Sequence, residues 1–146
     1  MSQALAMFQS VGGEQFSKMA CSIAPYFSTI NPVMVKLEKG LAEAKVGFCR
    51  EITNHLGSIH AIALCNAAEF VGGMMTDVSI PVGARWIPKG MTVEYLAKAK
   101  TDVQAIATAN DVDWQTSGDK IVNVSILDAE NNEVFKAAIT MNVKIA

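Results

Sequence analysis

One carboxylate stands alone in the middle of this chain. Between Glu51 and Asp77, Glu69 is the only residue of formal charge. The stretch 54–75 around it reads NHLGSIHAIALCNAAEFVGGMM, and near its front stand the chain's only two histidines, His55 and His60. A carboxylate in apolar surroundings is costly to ionise, so it is paired, exposed or put to chemical use. In chemical use it takes a proton from water as a general base, or attacks an electrophilic carbon itself. Such chemistry also needs a place for negative charge developing on oxygen. The start of a helix provides one, because its first N–H groups are unpaired and its dipole end is positive. Ser58 reads as the N-cap, which puts Ala61 in the first turn. The plain alternative for Glu69 is a solvent-facing helix position. Its helical neighbours Cys65, Asn66, Gly72 and Gly73 do not build a charged face.

The elements that would position these residues follow from periodicity. From Ile59 the apolar residues Ile62, Leu64, Cys65, Phe70, Val71, Met74 and Met75 run nearly all round a helix, which predicts burial. The polar pair Thr76-Asp77 predicts its end. Upstream, Val33, Val35 and Leu37 alternate with Met34, Lys36 and Glu38, and Ala42, Ala44, Val46 and Phe48 form a second alternating run after Lys39-Gly40. The two read as a hairpin with those residues inward. Before it, residues 2–11 and a run containing Phe16, Met19, Ala20 and Ile23 read as two short helices separated by Gly12-Gly13. Downstream, a short strand at 84–86 precedes a turn at Pro88-Lys89-Gly90. Four further runs follow: Val93 to Ala99 with Tyr95 inward, Val103 to Ala109, Lys120–Asp128 and Val134–Ile145. They read as an antiparallel meander. The expected class is α+β: an antiparallel sheet of five to six strands wrapped around one long central helix, with an N-terminal helical cover. That is the hot-dog fold.

At 146 residues the chain reads as one hot-dog domain over 1–146, with cover 1–25 and core 31–146. It is 51% hydrophobic and 18% charged, which predicts extra burial in an oligomer interface. A net charge of −2 argues against a nucleic-acid partner. Cys21, Cys49 and Cys65 have no zinc spacing, so no metal site is expected and a reducing cytoplasm is the natural setting. No signal-peptide layout is present. His55, His60, Asn66 and Glu69 argue against the helix crossing a membrane.

The pattern Asn54-x5-His60-Ala61-x7-Glu69 resembles the active-site motif of hot-dog acyl-CoA thioesterases of the phenylacetate-degradation type. The chain from about residue 31 onward resembles their uncharacterised stand-alone bacterial relatives. The resemblance implies an acyl-thioester hydrolase acting on acyl-CoA or acyl-carrier-protein thioesters, with no cofactor beyond the coenzyme A of the substrate. It implies Glu69 as general base or nucleophile. Asn54 would orient water or the acid, His60 would precede the helix turn, and the N–H at Ala61 would polarise the carbonyl. Ala61 stands where the family usually has glycine. Tyr95 and Gly57 are candidate substrate-binding residues. The resemblance also implies a homodimer with the site at its interface, and a tetramer in some members.

Bland roles stand beside these. Asn54 suits a turn, His60 suits a cap and Tyr95 suits the core. Two other functions compete. A hydratase or dehydratase on the same fold would pair His55 with Glu69, although the Phe-Pro and Pro-Gly elements of such enzymes are missing here. A non-catalytic acyl-binding protein would keep the pocket without needing Glu69.

Overall fold

The computed structural model describes all 146 residues, Met1–Ala146. It contains two helices, α1 (Gln3–Ile23) and α2 (Ala61–Ser79). Six strands accompany them: β1 (Val33–Glu38), β2 (Leu41–Val46), β3 (Arg85–Tyr95), β4 (Val103–Thr108), β5 (Gly118–Leu127) and β6 (Glu133–Lys144). The strands form one sheet in the order β1-β2-β4-β5-β6-β3, and every neighbouring pair is antiparallel. The sheet curls around α2, which packs against all six strands. This is the hot-dog fold.

Residue size explains how the helix fits. Ala42 pairs with Ala107 and Ala44 with Ala105, and all four are buried. They make a low floor across β2 and β4. Over β5 and β6 the sheet side chains are larger, and there α2 presents Gly72, facing Val122, Ile139 and Met141. Phe70 is fully buried and meets Phe27 edge to face at 5.2 Å. Burying a side chain of that size contributes about 1.5–3 kcal/mol.

Several expectations need correction. The second half is not a simple meander, because β3 crosses to the far edge and pairs with β6 while β4 joins β2. The sequence 88–90 is no turn: β3 runs straight through it and absorbs Lys89 as a bulge, which an edge strand tolerates. Ala97, expected inward, is exposed beyond the end of β3. In β1 a register shift between Met34 and Lys36 leaves Val35 exposed and buries Met34 and Leu37. The helix passes Thr76-Asp77 and ends at Ser79. The Thr76 and Ser79 hydroxyls donate to carbonyls one turn back, so neither is left unpaired inside. Nor is α2 buried on all sides: Ile62 is exposed, and Cys65 and Glu69 are half-buried.

The N-terminal cover, α1, is two helical segments that meet at Gly12, whose φ of 83° and ψ of 170° are not helical, in keeping with the break expected at Gly12-Gly13. Its second half lies along β1. The Ser17 hydroxyl accepts from the Met34 N–H at 2.8 Å, and a Cβ on Gly13 would overlap the Met34 carbonyl. The free edge of β1 is thereby covered. The free edge of β3, at the opposite side of the sheet, is bare. No helix is long and apolar enough to cross a membrane.

Candidate active site

The loop from Thr53 to His60 is built by Asn54. Its Oδ1 accepts from the N–H groups of Leu56 (2.9 Å) and Ser58 (3.2 Å), and its backbone N–H donates to the Ser58 carbonyl at 2.8 Å. Gly57 donates back to the Asn54 carbonyl at 3.1 Å with φ of 74°, a conformation that favours glycine. The loop is pinned at its exit, where Ile59 N–H donates to Ala99 O and His60 N–H to Ile52 O, each at 2.7 Å. Asn54 and Gly57 therefore shape the approach to the helix. His55 is exposed in the same loop and makes no hydrogen bond.

His60, not Ser58, caps α2. Its Nδ1 accepts from the Ile62 N–H at 3.1 Å. This places the proton of the neutral ring on Nε2. Ser58 is buried inside the loop, and its hydroxyl has no partner. With Ile62 capped and Ala63 bonded to the His60 carbonyl, the Ala61 N–H is left free at the positive end of a 19-residue helix.

Glu69 lies on the same helix two turns further on. It makes no hydrogen bond and no ion pair, and the three salt bridges of the chain lie elsewhere. It faces the β3 bulge across a cleft of about 270 Å³ lined by Pro88, Lys89, Gly90, Met91 and Ile139. Eight residues separate it from Ala61, about 12 Å along the axis. Within one chain their backbone positions are thus more than two helical turns apart.

Tyr95 does not point into the core. It is 55% exposed, and its hydroxyl lies 3.5 Å from the Cys65 sulfur, one turn before Glu69. The hydrogen bond with Cys65, then burial, raises its ionisation above the ordinary phenol range. Ile62, Cys65 and Glu69 thus form one open stripe of α2, with Tyr95 on one flank.

On the other flank Asn66 reaches the 3₁₀ turn Pro25–Ile30. Sequence reasoning did not place Cys65 or Asn66 at the site. Asn66 carried a signal, being the one strongly polar residue besides Glu69 between Ala61 and Met75. No group of three or more His, Cys, Asp or Glu side chains gathers into a metal-binding set.

Residues 12–143 match the model of a domain family of unknown function, DUF4442. The chain belongs to this family. Among solved structures, this DUF4442 chain is similar to a structural-genomics target whose name states no activity. The two are 52% identical with a TM-score of 0.89, over 99% of this chain and 97% of the other. It is also similar to the thioesterase HI1161 of Haemophilus influenzae (16% identity, TM-score 0.74, 82% of each chain). A third likeness is to smu.793 of Streptococcus mutans bound to acetyl-CoA (20% identity, TM-score 0.67, 76% of this chain and 86% of the other). At these low identities the last two likenesses are of fold. No curated protein matches the chain.

Proposed function

We propose that this DUF4442 protein hydrolyses acyl thioesters, with coenzyme A as the natural carrier. The observation that carries the reading is the open stripe of α2, which has a free N–H at Ala61 and an unpaired carboxylate at Glu69. The Ala61 N–H stabilises the oxyanion that forms on the thioester carbonyl. Glu69 takes a proton from the attacking water, or attacks the carbonyl to give an anhydride that water then opens. In either case the thiol leaves with a proton. The methyl of Ala61, where related thioesterases have glycine, does not remove the N–H that the role requires.

The 12 Å separation is the reason for a second copy of the chain. In a two-fold dimer with antiparallel α2 helices, Glu69 of one chain approaches Ala61 of the other. The bare edge of β3, with Ile87, Met91 and Tyr95 exposed along it, is the surface that suits such pairing. The acetyl-CoA bound to the Streptococcus mutans protein of the same fold adds support for the carrier. Asn54 and Gly57 set the loop, His60 caps the helix, and Tyr95 lines the stripe.

The test is hydrolysis of a panel of acyl-CoAs, read by a thiol-detecting reagent, on wild type and Glu69→Gln together. Thiol release by wild type, reduced at least about a hundredfold in the variant, is the expected result. An unchanged rate in Glu69→Gln removes Glu69 from the mechanism. No release from any substrate removes the reading.

A further inference from the structure

The flank of α2 opposite Tyr95 holds a buried polar group that the hydrolytic chemistry does not use. Asn66 is 7% exposed. Its Nδ2 donates to Thr29 Oγ1 at 3.0 Å and to the Tyr26 carbonyl at 3.4 Å. The Thr29 hydroxyl gives its own proton to the same Tyr26 carbonyl at 2.8 Å, so it must accept from Asn66. This fixes the amide with Nδ2 toward the 3₁₀ turn and Oδ1 away from it. Oδ1 accepts no hydrogen bond from the protein although the residue is buried, so this acceptor is free for whatever enters beside it.

Asn66 lines a cleft of about 250 Å³ together with His60 and Ile62, the residues on either side of Ala61. Tyr26, Ile52 and Ile62 make apolar walls, and Ile30 and Ile52 belong to the core, so a chain that enters stops there. The volume falls below the roughly 300 Å³ at the low end for whole-ligand pockets, which suits one end of a ligand. The carrier arm of a thioester must run back to solvent, whereas the acyl end can terminate inside. Glu51 at the cleft adds negative charge and disfavours an acyl group ending in a carboxylate.

We infer that this cleft receives the acyl group, and that Asn66 Oδ1 selects acyl chains bearing a hydroxyl. Asn66 lies five residues past Ala61, about 7.5 Å along the axis, so the hydroxyl sits several carbons from the carbonyl. The inference rests on the reading above for the position of the thioester. In it Asn66 is a specificity residue, with no part in bond breaking.

The experiment measures binding of non-hydrolysable ketone analogues of acyl-CoAs to the wild-type protein and to Asn66→Leu. One analogue carries a plain octanoyl chain and the others carry a hydroxyl at different carbons beyond the middle of that chain. The expected result is that wild type binds at least one hydroxylated analogue about tenfold more tightly than the plain one, and that Asn66→Leu brings the ratio to about one. Equal binding of all analogues by wild type overturns the inference, whether or not the variant folds. Equal weakening of every analogue by Asn66→Leu also overturns it, because the acceptor then serves the carrier arm common to all. A hydroxyl preference in a protein that hydrolyses none of the parent thioesters leaves the selective cleft standing and removes only the hydrolytic reading.

Discussion

Cys65 stands midway between Ala61 and Glu69 on α2, and its sulfur lies 3.5 Å from the Tyr95 hydroxyl on the edge strand β3. The contact ties the bare edge of the sheet to the middle of the open stripe. The Tyr95 ring leans on Phe135, with centroids 6.0 Å apart, so the hydroxyl has a defined position despite its exposure.

That contact makes a titration prediction. The Cys65 hydrogen bond, then burial, raises the pKa of Tyr95. The folded-state value is therefore above the unfolded one. The contribution to stability is complete below the ordinary phenol pKa near 10 and is lost as pH rises through the folded-state value. The chain has two tyrosines, and Cys65→Ala should move only the Tyr95 transition, to lower pH. Ultraviolet difference titration of wild type, Cys65→Ala and Tyr95→Phe checks this. An unmoved transition in Cys65→Ala would show that the contact has no influence on the phenol.

Ala61→Pro isolates the backbone donor. Proline is well tolerated at the first helical position, and His60, at φ −60° and ψ 138°, already has the extended conformation a following proline requires. The variant should fold like wild type, by circular dichroism and thermal melting. It should lose hydrolysis by about a hundredfold to a thousandfold, the usual effect of removing one oxyanion donor.

Mixing distinguishes a site within one chain from a site between two. Ala61→Pro and Glu69→Gln, each inactive alone, should regain activity when refolded together. Random pairing makes half of the dimers mixed, and each mixed dimer holds one complete site of two, so about a quarter of wild-type activity is expected. No recovery would mean that both groups act within the same chain.

Two adjacent glycines of α2 should respond differently to alanine. At Gly72 the added methyl meets the end of the Ile139 side chain at 3.0 Å, which can yield. At Gly73 it meets the Trp86 ring at 2.7 Å, and that ring is held by a 2.9 Å hydrogen bond from its Nε1 to Asp77. Helix propensity favours both changes by up to about 1 kcal/mol. Gly72→Ala should therefore be near neutral, and Gly73→Ala should lose about 1–2 kcal/mol net, lowering Tm by several degrees.

The central helix and the inward faces of β2 and β4 were legible in the sequence, because strict patterns of apolar residues leave few alternatives. What escaped it depended on distant partners. Val35 turns outward because a bulge in β1 shifts the register, and a bulge has no signature in a six-residue run. Pro88 and Gly90 read as a turn because both punctuate strands, yet at a sheet edge no neighbour needs the missing N–H. Ser58 and His60 are both able to accept from a helix N–H, and the pinning of the loop to Ile52 and Ala99 decided between them. The spacing of Asn54, His60, Ala61 and Glu69 was legible as a string. The setting of Asn66 was not, because its partners Tyr26 and Thr29 lie 40 and 37 residues away.

The covering of β1 by α1 limits how large an edge-to-edge assembly can grow. A sheet with two bare edges can add copies end on end without limit, as fibres do. Here Ser17 occupies the Met34 N–H and Gly13 packs on its carbonyl, so one end is sealed by the chain itself. Only β3 is left to join another strand, and two like edges that meet leave no bare edge behind. The N-terminal helix therefore leaves β3 as the one edge through which this sheet can be extended.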